Sequence, residues 1–417
     1  MRTTLHFLRT NKRFLAFGIS LTFLSSYGQS FFFGLYNHEI RDAYNITNTE
    51  FGSIYGIITV ISALLISYAG RILDRAHLPY YALSVLAIVS AGCFMIGLTS
   101  HFAIFITGLF LVRFAGQGLL GHTNNTSMAR YFDETRGRAI TITRMGAELG
   151  AVIFPLIVIN LIDVIGWKQS WVVFGALILF PVFPLILWLL HDHRDRHDSW
   201  LLSEQQKNDS QNAITGEPPL KEWTQGKVLT DIRFYLTMPV LLSGPLIGTG
   251  ILFYIKNVSL AKGWEDTFLA QFMGLQALTV TVFCLISGVL VDRFGSTRLL
   301  PMISIFMCIA LGILTYSNHP AVAPLFMFFN GISNGFLVAA SIAIWAEMYG
   351  TKHLGSIKAL VMMLMVFSTA LMPPVMGNLF DQAVPLETIT LGLLCYTAIA
   401  GLATLPLLIQ SKFRLQT

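Results

Sequence analysis

The sequence is poor in charge. Only 12% of its 417 residues are Asp, Glu, Lys or Arg, whereas 54% are hydrophobic and the mean hydropathy is +0.65. A soluble domain of this length covers its surface with about twice that share of charged residues. The composition therefore excludes a soluble globular protein and indicates an integral membrane protein.

The sequence also lacks the patterns of a disulfide framework, a metal site or a catalytic centre. Cys93, Cys284, Cys308 and Cys395 all fall in apolar segments, and none has another cysteine at ligand spacing. The histidines and aspartates of 191–198 are metal-ligand types, but without a second cluster they are explained by a solvated stretch at the membrane edge. Glycine-rich segments fall in predicted helices rather than after strands. We therefore expect no metal, no cofactor and no enzymatic activity.

Twelve apolar segments are each long enough to cross a bilayer. The first is too long for a signal-peptide core and lacks a small-residue cleavage pattern, so we expect it to be retained. The predicted fold class is an all-α membrane protein with twelve transmembrane helices in two pseudo-symmetric six-helix bundles. The predicted spans are 13–36, 51–70, 80–99, 102–129, 138–162, 168–190, 234–257, 266–291, 299–317, 321–346, 356–379 and 387–410.

A hydrophilic segment separates two groups of six spans. We predict an N-terminal bundle over 1–190, a cytoplasmic linker over 191–233 and a C-terminal bundle over 234–417. Of the 27 Lys and Arg residues, 21 lie in the termini and in the loops on the side of the linker. Cytoplasmic loops carry this excess of positive charge, which predicts that both termini are cytoplasmic. The positive charge thus orients the protein in a lipid bilayer and does not indicate nucleic-acid binding.

Two motifs occur twice, about 217 residues apart. A duplicated six-span bundle is typical of transporters, whose halves rock around a site near the membrane midplane. The first motif follows the second and eighth spans, and the other lies in the fourth and tenth. The residues are Gly70, Asp74 and Arg75, repeated as Gly288, Asp292 and Arg293, and then Arg113, Gln117 and Gly118, repeated as Asn330, Asn334 and Gly335.

These motifs resemble the major facilitator superfamily over essentially the whole chain. The family's G-x-L-x-D-R-x-G pattern is matched in the second half, where Arg298 follows it, whereas 76–79 replaces its last glycine and basic tail in the first half. The resemblance implies the family fold. It also implies a conformational lock of Gly70, Asp74, Arg75, Gly288, Asp292, Arg293 and Arg298. An aspartate at a span end can pair with an arginine or a helix terminus in one conformation only; topology anchoring by the arginines alone is the alternative.

The fourth span carries an arginine near the bilayer centre. Arg113, in a stretch similar to the family's R-x-x-x-Q-G pattern, lies about 16 Å along a helix that begins near Phe102. An arginine at this depth is costly unless it faces a polar cavity or a partner. We predict that Arg113 and Gln117 bind substrate; the alternative is an arginine held by carbonyls that only stabilises the bundle.

The fifth span carries two more buried charges. Glu148 lies about 15 Å into the membrane, near the level of Arg113, and Arg144 lies one turn away on the same face. We predict that Arg144 helps to bind a substrate carboxylate and that Glu148 couples transport to protons, because burial raises a carboxyl pKa and a nearby arginine lowers it. The alternative is that Arg144 and Glu148 simply neutralise each other.

Polar residues in other spans complete the predicted substrate site. Since neutral Asn330 stands where the first half has Arg113, the first half is expected to hold most of a small anion. Such side chains also bridge helices through hydrogen bonds, which is the alternative for each. The predicted substrate-binding residues of this group are Tyr27, Gln29, Tyr254, Gln276, Asn330 and Asn334.

The sequence leaves several functions open. The loop 129–139 resembles the monocarboxylate and oxalate–formate porter branch of the family. The two buried arginines favour a small organic anion as the solute, and we expect a proton-coupled secondary transporter, monomeric, in the bacterial inner membrane. Gly137, Gly146 and Gly150 match part of a fifth-span motif that the family associates with antiporters, although Ala151 replaces its proline. An efflux antiporter for hydrophobic compounds is therefore one alternative. A transporter-like solute sensor is another.

Overall fold

The computed structural model describes residues 7–132, 135–198, 200, 223–350 and 353–408, and these ranges contain helices and no strand. Eleven helices within them are long and apolar enough to cross a membrane, and they coincide with the second to twelfth predicted spans to within a few residues. The all-α membrane fold is confirmed. The eleven are Asn48–Gly70, Leu78–Leu98, Phe102–Tyr131, Arg136–Ile165, Trp167–Leu189, Ile232–Phe253, Leu269–Phe294, Ser296–Tyr316, Val322–Tyr349, Leu354–Asp381 and Leu386–Leu408.

The first predicted span is broken. Lys12–Leu24 is α-helical, Ser25–Gly28 is a 3-10 helix, and Gln29 is extended at φ −77° and ψ 152° before the α-helix Ser30–Leu35. The short helix Asn37–Tyr44 follows. Backbone groups in a bilayer must be satisfied internally, so a broken span is tolerated only where protein or a polar cavity surrounds it. The backbone groups at the break therefore need hydrogen-bonding partners from neighbouring protein.

Two later spans change helix type midway. In the fourth span, α-helices Phe102–Leu111 and Gly121–Tyr131 flank a π-helix over Val112–Leu120. The sixth span widens to a π-helix at Ile178–Val182, where Pro181 lacks the N–H of a regular turn. The fourth-span stretch contains no proline, and it coincides with the motif that includes Arg113. π-helical turns frequently occur at functional sites.

The chain packs as two compact units. One groups residues 1–32 with 61–218, and the other groups 33–60 with 219–417. Most of the predicted linker, 201–222, lies outside the described residues. The domain limits 1–190, 191–233 and 234–417 remain predictions.

In the first unit, glycines of the fifth span contact the first span closely. A side chain on Gly146 would overlap Thr22 and the carbonyl of Ile19, and one on Gly150 would overlap Ser26. The Thr22 hydroxyl also donates to the carbonyl of Thr143 in the fifth span. These two glycines of the antiporter-like motif therefore have a packing role.

In the second unit, residues 33–60 are held by polar contacts to the end of the seventh and eleventh spans. The Asn37 amide donates to the carbonyl of Phe253 at 3.0 Å. The Asp381 carboxylate accepts from the backbone N–H groups of Asn48 and Thr49 at 3.1 and 2.7 Å. It thus satisfies donors at the start of the second span, where the helix dipole favours negative charge.

Candidate solute-binding site

Arg113 lies where the π-helix of the fourth span meets the break in the first span. Its side chain is buried, with 6% exposure of the residue, and Nη1 donates a hydrogen bond of 2.7 Å to the carbonyl oxygen of Gly28. Gly28 ends the 3-10 segment, and carbonyls at a helix end lack intrahelical partners and carry partial negative charge. The break in one span therefore supplies an acceptor for the cation of the other.

Glycines allow this close crossing. A Cβ on Gly28 would overlap the backbone nitrogen of Gln117 and lie 2.8 Å from the carbonyl oxygen of Val112. A Cβ on Gly116 would lie 3.0 Å from the nitrogen of Gly28. Real Cβ atoms do not tolerate such distances to backbone, so only glycine fits at Gly28 without movement of a span.

Gln117 places an acceptor on the same stretch of the fourth span. Its Oε1 atom is buried and, within the described ranges, receives no hydrogen bond. A buried amide oxygen without a donor is uncommon in native proteins and calls for an explanation. A solute that brings its own N–H or O–H group supplies the missing donor, so this geometry is consistent with the predicted role of Gln117.

The two first-span residues of the predicted site differ. Tyr27 is buried at 2% exposure, and its ring packs within 5.2 Å, between ring centres, of Phe32, Phe154 and Phe174. This aromatic packing gives Tyr27 a structural role. Gln29 is half-buried and occupies the extended residue of the break, next to Gly28.

Arg144 and Glu148 lie on the fifth span of the same unit. Arg144 is exposed and Glu148 is half-buried. Arg144 lies one helical turn from Glu148, although no ion pair joins the two side chains in the part of the chain that the structure describes. Glu148 therefore lies near a cation but forms no short contact with it.

The predicted residues of the second half lie in the second unit. Asn330 is buried at 1% exposure, and the Asn334 amide donates to the Asn330 side-chain oxygen at 2.7 Å and to its backbone oxygen at 2.9 Å. Gln276 is half-buried in the eighth span. At these positions the tenth span thus has a neutral amide pair where the fourth span has a guanidinium and an amide.

Tyr254 directly follows the last helical residue of the seventh span. The helix ends at Phe253, and the Tyr254 hydroxyl is 2.8 and 2.9 Å from the carbonyl oxygens of Asn48 and Pro373. Because two carbonyls already compete for its one proton, the hydroxyl has no donor left for a solute. This contact joins three helices of the second unit, which is a structural role.

At the second copy of the lock motif, the contact that holds the loop involves a residue outside the predicted set. Asp292 and Arg293 are exposed, and Gly295 adopts φ +80°, a conformation suited to glycine. Glu347 at the end of the tenth span accepts from the Ser296 hydroxyl at 2.6 Å and from the Ser296 N–H at 2.9 Å.

In the first copy of the lock motif, Gly70 is buried, and a Cβ there would lie 2.7 Å from Nε2 of His122. The side chains of Asp74 and Arg75 lie outside the described part of the chain. Gly288 and Arg298 are half-buried. The proposed locking role of the seven residues remains a prediction.

Two features of the site were not predicted from sequence patterns. The π-helix over Val112–Leu120 has no proline to indicate it. Glu347 had a signal, because an acidic residue near the end of the tenth span can cap a helix that begins in the facing loop, but its partner Ser296 is 51 residues away.

Comparison with known proteins identifies relatives. A model described as Major Facilitator Superfamily matches residues 18–327 and 263–414. The hexuronate transporter of Escherichia coli (strain K12) is 20% identical over 259 residues, which are 59% of this chain and 59% of that protein. The uncharacterized transporter YybO of Bacillus subtilis (strain 168) is 24% identical over 253 residues, 58% of this chain and 54% of that protein. The matched region thus spans less than two thirds of either relative.

Solved structures share the fold. A variant of the nucleoside transporter NupG has a TM-score of 0.70 at 13% identity, over 94% of this chain and 99% of that one. A bacterial homolog to the human lysosomal transporter Spinster has a TM-score of 0.69 at 14% identity, over 94% and 95%. At these identities the likeness concerns the fold alone.

Proposed function

Because the chain belongs to the Major Facilitator Superfamily, we propose that it is a proton-coupled secondary transporter of a small organic anion with one carboxylate. The observation that carries this proposal is the buried Arg113 at the crossing of the first and fourth spans, with the Gln117 amide on the same π-helical stretch. A guanidinium matches a carboxylate in charge and geometry. An amide complements the polar groups of the same solute.

The similarity to a hexuronate transporter supports an anionic substrate, since a hexuronate carries a carboxylate. It also suggests hydroxyl groups, which would donate to the buried oxygen of Gln117. In this proposal, Arg113 of the first unit binds the carboxylate of the solute. Asn330 and Asn334 form a neutral amide pair within the second unit, and their part in substrate binding stays a prediction.

Glu148 is the proposed proton-coupling residue. It lies within the electrostatic influence of Arg144 but makes no short ion pair with that residue among the described residues. A carboxyl group in this position can gain or lose a proton as its surroundings change between states. We place the protein in a bacterial inner membrane. The excess of Lys and Arg on one side supports an orientation in which both termini are cytoplasmic.

The binding experiment uses the purified full-length chain and thermal unfolding with glucuronate, lactate, glucose, an organic amine and a lipophilic cation. A ligand that binds the folded state raises its apparent stability. We expect a carboxylate to stabilise the protein and Arg113→Ala to abolish this effect. The control Arg136→Ala removes an exposed cation at the start of the fifth span and should leave it intact.

The coupling experiment measures uptake of the identified anion into proteoliposomes with and without an inward proton gradient. We expect Glu148→Gln to bind the anion but to lose the dependence of uptake on pH. If both Arg113→Ala and Glu148→Gln retain pH-coupled uptake, the mechanism is overturned. Stabilisation by lipophilic compounds alone, unaffected by Arg113→Ala, would instead favour efflux.

A further inference from the structure

A cavity lies where the first span begins and the sixth span ends. Its volume is about 280 Å³, and both segments that line it, within 10–14 and 189–196, belong to the first unit. The apolar part of its wall comes from Phe14 and Leu189, the last residue of the sixth span. The cavity therefore lies at the edge of the membrane, outside the proposed transport site at Arg113.

The polar wall of this cavity is cationic. Lys12, Arg13 and Arg196 provide three positive charges against the one negative charge of Asp192. Arg13 and Asp192 form an ion pair of 2.6 Å. The two remaining cations leave an excess of two positive charges, which favours an anion as the occupant.

Arg196 is held in position before any ligand binds. Both of its terminal nitrogens lie 3.2 Å from the side-chain oxygen of Asn11, and its guanidinium lies over the rings of Phe14 and Phe132 at 4.6 and 5.4 Å. These contacts reduce the conformational entropy that a flexible cation loses on binding. The guanidinium has five N–H donors in all, so donors remain beyond those used by Asn11.

His193 gives the cavity a buried nitrogen that points to a ligand. The residue is 8% exposed and lines the cavity, and its Nδ1 atom has no hydrogen-bond partner within the described ranges. Its ring stacks on Phe14, and Nε2 lies 3.4 Å from the Tyr131 hydroxyl. The Tyr131 hydroxyl also lies 3.0 Å from Nδ1 of His197, so two ring nitrogens compete for its one proton. In the tautomer whose ring proton is on Nδ1, His193 offers that N–H to an anion.

We propose that this cavity binds a phosphate group, with Lys12, Arg196 and His193 donating to its oxygens. Phosphate accepts several charge-assisted hydrogen bonds at once, as this mixed set of donors requires. Two sources share this chemistry: the head group of an anionic phospholipid, whose phosphate lies at the level of span ends, and a free phosphate or phosphate ester from the aqueous side.

The test uses the full-length chain in detergent micelles and measures the unfolding temperature in two series. One series adds phosphatidylglycerol, with phosphatidylcholine of the same acyl chains as its reference. The other adds inorganic phosphate, with chloride at equal ionic strength as its reference. Stabilisation in the first series identifies a lipid head group, and stabilisation in the second identifies free phosphate.

Two matched variants decide whether the cavity is responsible. Lys12→Gln removes an exposed cation that lines the cavity, and Arg9→Gln removes an exposed cation of the same segment that does not. We expect Lys12→Gln to weaken the apparent affinity roughly fivefold, the effect of one cation near an anionic group, and Arg9→Gln to change it little. His193→Phe keeps an aromatic ring and removes the nitrogens, so it should also weaken binding.

Equal weakening by Lys12→Gln and Arg9→Gln would show general surface attraction and overturn the proposal. The absence of stabilisation in both series would overturn it as well. Neither result bears on the transport site, because glucuronate binding through Arg113 is measured separately.

Discussion

The guanidinium of Arg113 donates a hydrogen bond of 2.7 Å to the carbonyl oxygen of Gly28. This bond joins two irregular segments of the first unit, the broken first span and the π-helical stretch of the fourth. Arg113 is therefore both a structural cation, as one interpretation of the sequence expected, and a group placed at the irregular backbone where membrane transporters form solute sites.

Gly28→Ala should disrupt this crossing. The added Cβ would overlap the backbone of Gln117, so the first and fourth spans must separate, at a cost of about 1–3 kcal/mol for overpacking. We expect a lower unfolding temperature and loss of carboxylate-dependent stabilisation. The control is Gly121→Ala on the fourth span, where a Cβ would meet no atom within 4 Å. Normal ligand response in Gly28→Ala would show that the crossing is not needed for binding.

Glu39→Gln should destabilise the second unit. Its partner Lys256 has a side chain only 4% exposed, and the carboxylate of Asp266 lies farther away, 3.5 Å from the Lys256 ammonium nitrogen. Removing one member of a buried ion pair costs about 2 kcal/mol or more, because the other charge stays buried. Asp42→Asn on the same short helix breaks the exposed pair with His38 and should cost less than about 1 kcal/mol.

The comparison is made by thermal unfolding of both variants. Similar losses in Glu39→Gln and Asp42→Asn would contradict the structural importance of Glu39. A double variant with Lys256→Met, which also removes the buried cation, should recover much of the stability lost in Glu39→Gln.

Acidification should destabilise the first unit through His193. Burial, together with the charges of His197, Arg196, His77 and Arg130, lowers the pKa of His193 to about 4. The unfolded chain, with an ordinary pKa of about 6.5, binds more protons between these values. This contribution to stability is therefore complete above pH 6.5 and is lost as the pH falls towards 4.

The measurement is the unfolding temperature from pH 4 to 8. His193→Phe should show a smaller decrease over that window than the unmodified chain, whereas the exposed His101→Phe should follow the unmodified chain. A pH profile unchanged by His193→Phe would rule out this histidine as the source.

Glu347→Ala should weaken the loop after the eighth span. It removes the acceptor for the N–H and hydroxyl of Ser296, a loss comparable to that of a helix cap, about 1–2 kcal/mol. Asp292→Ala, at an exposed residue of the predicted lock, should change stability by less than about 0.5 kcal/mol. If the lock hypothesis holds, Asp292→Ala nevertheless slows uptake into proteoliposomes, and unchanged uptake would refute it.

Hydropathy and motif spacing were sufficient for the class of fold and the family. Each of the second to twelfth spans begins and ends within a few residues of its predicted limits, because a bilayer imposes a minimum apolar length that a sequence displays directly. The rise of a helix placed Arg113 partway along the fourth span, and the structure buries its side chain within the protein. The family match over residues 18–327 and 263–414 confirms the resemblance seen in the motifs.

Contacts between distant segments required the tertiary structure. Helix propensity does not say which helices meet. Three features depend on this: the break at Gln29, the π-helix around Arg113 and the two carbonyls that contact Tyr254. The same holds for Glu347 with Ser296 and for His193 in its cavity. The sequence by itself determined that this chain crosses a membrane as a helical transporter, since apolar length and charge placement are local properties. The tertiary structure decided which polar groups are buried together, since burial depends on neighbours far along the chain.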